Sequence, residues 1–68
     1  MTINTTQLEL SYFLLDNMKA NRNDVLKACV TLNIQKYGNH RLQKVLEELT
    51  IKQKNQVLSE VLNSWTYQ

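Results

Sequence analysis

The chain has 68 residues with one glycine, no proline and one cysteine, and its formal net charge is +2. That makes one domain near the lower limit for folding alone, because a chain so short buries only about 60% of its unfolded surface. A single cysteine excludes an internal disulfide, no apolar run approaches the ~20 residues of a membrane span, and so small a net charge settles nothing about partners.

With so little glycine and proline for hairpin turns, an all-helical domain is expected, its breaks falling at Asn, Thr and Gly. The polar start, residues 1–6, is expected to be flexible and lacks the basic and apolar regions of a signal peptide. Thr6-Gln7-Leu8-Glu9 matches a capping box, and a helix is predicted over about 7–19. Leu8, Tyr12, Leu15 and Met18 form one stripe on it, and Leu10, Phe13 and Leu14 a second. Two stripes exceed one contact face, so this helix is either central or offers its second stripe to another chain.

Ala20-Asn21-Arg22-Asn23 breaks the pattern, with Asn21 or Asn23 as the next cap and Asp24 favourable in the first turn. A second helix is predicted over about 24–35, with Val25, Leu26, Cys29, Val30, Leu32 and Ile34 as its apolar supply. Cys29 reads as a small core residue, and an unpaired thiol suits a reducing cytoplasm. Tyr37 is expected to pack beside a turn that Gly38 closes at positive φ. Asn39 then caps a third helix, about 40–49, in which Leu42, Val45, Leu46 and Leu49 recur at i, i+3, i+4 and i+7.

That stripe does not continue, since Gln53 and Gln56 occupy the next positions in phase. The apolar pattern restarts as Ile51, Leu58, Leu62 and Trp65, with Val57 and Val61 beside it. At ~100° per residue the stripe jumps by roughly 200° between Leu49 and Ile51. Thr50-Ile51-Lys52-Gln53 matches a second capping box, so a sharp turn at Thr50 and a fourth helix over about 51–63 are predicted, antiparallel to the third. The expected fold is a bundle of four short helices with a helix–turn–helix-like corner at 36–39.

Charge is unevenly spread. Met1 to Asp24 carries two basic and three acidic side chains, Val25 to Lys54 six and two, and Glu60 follows. A basic middle suits an acidic surface or phosphates. Catalysis finds no footing, because Cys29 and His40 lie on different helices and neither a metal-ligand spacing nor a phosphate-cradling glycine loop is present. No enzyme activity, cofactor or metal is expected.

Two binding roles remain. In the first, the double stripe on helix one and the exit aromatics dock another protein or a second copy, through Leu10, Phe13, Leu14, Trp65 and Tyr67. A small cytoplasmic adaptor or regulator is the leading expectation. In the alternative, Asn39, His40, Arg41, Gln43 and Lys44 stand at the start of helix three, where a recognition helix reads nucleic acid.

A second form of that alternative comes from likeness. Val25-Leu26-Lys27-Ala28-Cys29, followed by Tyr37 through Glu47, resembles one unit of a Pumilio-type RNA-binding repeat over residues 23–63. The resemblance implies single-stranded RNA as ligand, with Asn39 and Gln43 reading a base edge and His40 stacking, a combination that family associates with uracil. One unit is present, and Arg41 stands where the repeat carries a small apolar residue.

Overall fold

The computed structural model describes residues 3–66, with side chains over 3–64. Four helices run in order: α1 over Thr5–Ala20, α2 over Val25–Gln35, α3 over His40–Glu48 and α4 over Ile51–Thr66. A 3₁₀ turn, Lys36–Gly38, joins α2 to α3, and no strand occurs among the described residues. The fold is an all-α bundle, as its composition predicts.

Helix α1 begins earlier than the Thr6–Glu9 pattern suggests. Asn4 is its N-cap: the Asn4 side chain accepts from the Gln7 N–H at 2.7 Å, and the Gln7 side chain accepts from the Asn4 N–H at 2.9 Å. The capping box is real but starts two residues upstream, so Asn4 to Thr6 belong to the ordered start of the helix. At its other end, Arg22 and Asn23 take φ of 55° and 65°. The Asn23 N–H donates to Met18 at 2.7 Å and the Arg22 N–H to Lys19 at 3.4 Å, the paired bonds of a Schellman ending built without glycine. Asp24, rather than Asn21 or Asn23, caps α2 by accepting from the Lys27 N–H.

Asn39 caps α3 as expected, accepting from the Leu42 N–H at 3.1 Å. Gly38 does not do what its residue type suggests: it has no positive φ, and a Cβ placed there would meet nothing within 4 Å. The 3₁₀ turn itself redirects the chain, so the corner needs no left-handed residue. At Thr50 both arms of the predicted box form, with Gln53 N–H to Thr50 Oγ1 at 3.1 Å and Thr50 N–H to Gln53 Oε1 at 2.9 Å. Leu49 is extended there and ends α3.

Helix α1 is the hub, and α2, α3 and α4 all pack on it. The expected antiparallel pairing of α3 with α4 does not occur along their lengths; each lies mainly on α1. The core joins Leu10, Leu14 and Met18 of α1 to Ala28 and Leu32, to Leu42, Val45 and Leu49, and to Val57 and Val61. Among the described side chains of α4 the buried ones are the two valines, while Ile51 is 75% exposed. The break at Thr50 stands on its cap, not on the stripe through Ile51.

Three of the six buried positions on α1 are polar: Gln7, Ser11 and Asn17. The Gln7 side-chain amide donates to the Gln53 carbonyl and to Gln56 Oε1, both at 3.1 Å, tying α1 to the first turns of α4. Asn17 donates to Gln35 Oε1 at 3.0 Å and to the Phe13 carbonyl, tying α1 to the end of α2. Every buried side-chain nitrogen and oxygen among the described residues has a partner. Satisfied polar groups of this kind fix which helix meets which, at little net cost.

Candidate functional site

The outward side of α2 departs furthest from expectation. Val25, Ala28 and Leu32, at i, i+3 and i+7, already supply its inward line, with Ala28 and Leu32 buried and Val25 packed against them. The rest of its apolar supply is surplus. Leu26, Val30 and Ile34 are 78%, 54% and 65% exposed, and Tyr37 just beyond them is 83% exposed. The expected packing of Tyr37 against the turn is absent; the Lys36 ammonium instead lies 5.3 Å from its ring centroid, a contact open to water.

These residues form one ridge. Leu26, Val30 and Ile34 advance ~40° at each step and span about 12 Å of helix. Within Val25–Gln35 the single charged side chain is Lys27. It lies about 60° beyond Val30 and only ~20° beyond Ile34, bordering the ridge on the flank away from Cys29 and Asn33. The ridge is apolar along its length, with charge at its edges only: Lys27 beside Ile34 and Lys36 over the Tyr37 ring.

Beside it lies a cleft of about 210 Å³, where all four helices meet. Leu10, Leu14, Leu32, Leu46, Val57 and Leu58 line it, with Cys29 and Asn33 on the α2 side and Lys54 and Asn55 on the α4 side. A second hollow, about 350 Å³, continues past Leu46 and Lys54 to Lys36, Tyr37, Gln43 and Glu47. Asn33 is only ~20° around α2 from Leu26, so ridge and cleft share a border. Burial pushes the Cys29 thiol pKa up, which keeps it protonated and poorly nucleophilic at neutral pH.

The surface expected on α1 is not on offer. Leu10 and Leu14 are buried in the core, and Phe13 is half-buried against it. Hub helices spend such stripes internally, since neighbours cover them from three directions. Trp65 and Tyr67, the other expected partner contacts, lie outside the residues whose side chains are described. On α1, Leu8 and Tyr12 remain exposed, one turn apart.

The candidate nucleic-acid residues do gather at one end. His40, Arg41, Gln43 and Lys44 are exposed on α3, and Asn39 is half-buried with its Oδ1 engaged in the cap. Arg41 pairs with Glu9 of α1, and Glu47 and Glu48 are exposed on the same helix. No group of three or more His, Cys, Asp or Glu side chains is placed to hold a metal ion among the described residues. No helix among them is long and apolar enough to cross a membrane.

The ridge was detectable in the sequence as i, i+4, i+8 and i+11 spacing from Leu26 to Tyr37. An amphipathic count that accepts any apolar residue as core conceals it. Compared with models of protein families, with curated proteins and with solved structures, the chain matches none.

Proposed function

We propose that this protein is a small non-catalytic adaptor or regulator that acts in the cytoplasm by binding protein through α2 and the cleft beside it. One observation carries this: Leu26, Val30, Ile34 and Tyr37 form an exposed apolar ridge that borders a largely apolar cleft. Aromatic and aliphatic side chains with charge kept to the margin are the composition of an interface core. Single exposed apolar residues are ordinary on any surface, whereas a contiguous row is not. An unpaired cysteine held as a protonated thiol fits a reducing compartment.

Nucleic-acid binding through Asn39, His40, Arg41, Gln43 and Lys44 is less well supported. The Asn39 Oδ1 is engaged at the cap, Arg41 is neutralised by Glu9, and Glu47 and Glu48 would face the same phosphates. Capture from native lysate, with and without nuclease, separates the two roles. Protein capture that survives nuclease and is lost in the double variant Leu26→Lys, Ile34→Lys is the expected result. Capture lost to nuclease but retained by that variant would overturn the proposal.

A further inference from the structure

We infer that the hollow between the 3₁₀ turn, α3 and α4 binds a small phosphomonoester with a planar nitrogenous body, the chemistry of a nucleoside monophosphate. This goes beyond the protein-binding role and does not rest on it.

The cations carry the inference. Of the six lysines, Lys19, Lys27, Lys44 and Lys52 are exposed, and only Lys36 and Lys54 are half-buried. One comes from the turn after α2 and the other from the first turn of α4, yet both line the same hollow of about 350 Å³. Partial burial strips water from an ammonium, and a carboxylate partner ordinarily offsets that cost. Among the described residues no carboxylate lies within 4.0 Å of either one. Lys36 has the Tyr37 ring centroid 5.3 Å away, and the Lys54 side chain has no hydrogen-bond partner among the described residues. Two half-buried cations thus line one concavity with no carboxylate close enough to balance them.

The remaining walls select the anion. A carboxylate ligand brings one negative charge, whereas a phosphomonoester carries about −1.5 to −2 at pH 7 and three acceptor oxygens, enough to engage both ammoniums. Glu47 lines the same hollow without an ion pair or side-chain hydrogen bond among the described residues. It repels a second anionic group and accepts from an N–H at the ligand's other end. Gln43, one turn before it on α3, adds an amide that can donate and accept. Between these polar ends, Leu46 gives an apolar wall, and Tyr37, 83% exposed, an aromatic ring on which a planar group can stack. A dianionic end, a flat body and an N–H-bearing edge together describe a nucleobase joined to a phosphate. The volume lies at the small end of the range for small-molecule pockets, about 300–1,000 Å³, and suits one nucleotide.

Calorimetric titration with guanosine 5′-monophosphate tests this, because its base edge offers adjacent N–H donors to Glu47. Circular dichroism confirms the fold of each variant. Wild type should bind one nucleotide with submillimolar affinity, and guanosine or inorganic phosphate at least about tenfold more weakly, since each keeps only part of the contacts. Lys36→Met and Lys54→Met keep the apolar stem and should each weaken binding by about tenfold or more, through loss of a charge-assisted hydrogen bond. Lys52→Met, exposed on the same helix as Lys54 but outside the hollow, should leave binding unchanged. Glu47→Gln should narrow the preference for guanosine 5′-monophosphate over uridine 5′-monophosphate. Absence of nucleotide binding at millimolar concentration and low salt would overturn the inference. So would inorganic phosphate binding as tightly as the nucleotide, or Lys52→Met losing as much as Lys54→Met. A phosphorylated peptide taken up where the nucleotide is not would assign the two lysines to a protein ligand and overturn the nucleotide reading as well.

Discussion

Helices α1 and α2 carry similar apolar supplies and meet opposite fates. Both present more apolar residues than one contact face consumes. On α1 the line through Leu10, Leu14 and Met18 is closed over by three neighbouring helices. Helix α2 packs on α1 and leads into the 3₁₀ turn, but nothing among the described residues covers its outer side. The same Leu, Val and Ile chemistry is therefore core in one helix and candidate interface in the other. Neighbours decide this, not composition.

The largest expected effect tests that contrast directly. Leu14, 1% exposed, should cost about 2–5 kcal/mol on truncation to Ala, through lost transfer energy plus a cavity. A domain this small has roughly 3–5 kcal/mol to lose, so the variant should be largely unfolded at room temperature. Leu26→Ala removes the same atoms and should change monomer stability by no more than about 0.5 kcal/mol. Urea denaturation at low protein concentration measures both. Equal losses at the two positions would break the distinction between hub and rim.

The polar ties on α1 come next. Gln7→Ala strips a partner from the Asn4 N–H, the Gln53 carbonyl and Gln56 Oε1, and should cost about 1–3 kcal/mol. Asn17→Ala should cost less, because Gln35 is exposed and water can replace the lost donor. The order of the two midpoints in one denaturation series is the check. Reversal would mean that the α1–α2 contact, not the α1–α4 contact, holds the bundle.

Helix α4 reaches the hub only because the chain turns sharply at Thr50. Thr50→Ala should cost about 0.5–2 kcal/mol by removing the acceptor for the Gln53 N–H. No loss in the thermal midpoint would show that packing of Val57 and Val61 alone sets the turn. The smallest effect is expected at the rim. Gly38 has neither a positive φ nor a crowded site, so Gly38→Ala should be neutral or stabilise by about 0.4–1 kcal/mol, by restricting the unfolded chain. A clear loss would mean the corner needs glycine after all.

Much of the local architecture was legible in advance. The Asn39 cap, the Thr50–Gln53 box and the α3 stripe of Leu42, Val45, Leu46 and Leu49 each depend on residues within one or two turns, and short-range chemistry specifies them. The start of α1 was misplaced because Asn4 and Thr6 both head plausible boxes, and the choice falls to Gln7, whose amide also bonds α4. The buried line of α1 was obscured for a related reason. Gln7, Ser11 and Asn17 occupy half of its positions, so a count of apolar residues alone finds two broad stripes instead of one narrow line. The candidate site was less legible still. Leu26, Val30 and Ile34 show the spacing of a buried face, and spacing cannot say whether a neighbour exists to bury it.

By itself, then, the sequence determined the number of helices, seven of their eight ends to within a residue or two, and the apolar face of α3, because caps and periodicity act over a few residues. Tertiary structure alone decided that α1 is the hub, that α3 and α4 pack on it and not along each other, and that α2 keeps an apolar ridge beside an open cleft. Those outcomes depend on which faces find partners across tens of residues, and on side-chain amides such as those of Gln7 and Asn17 that bond to helices far along the chain.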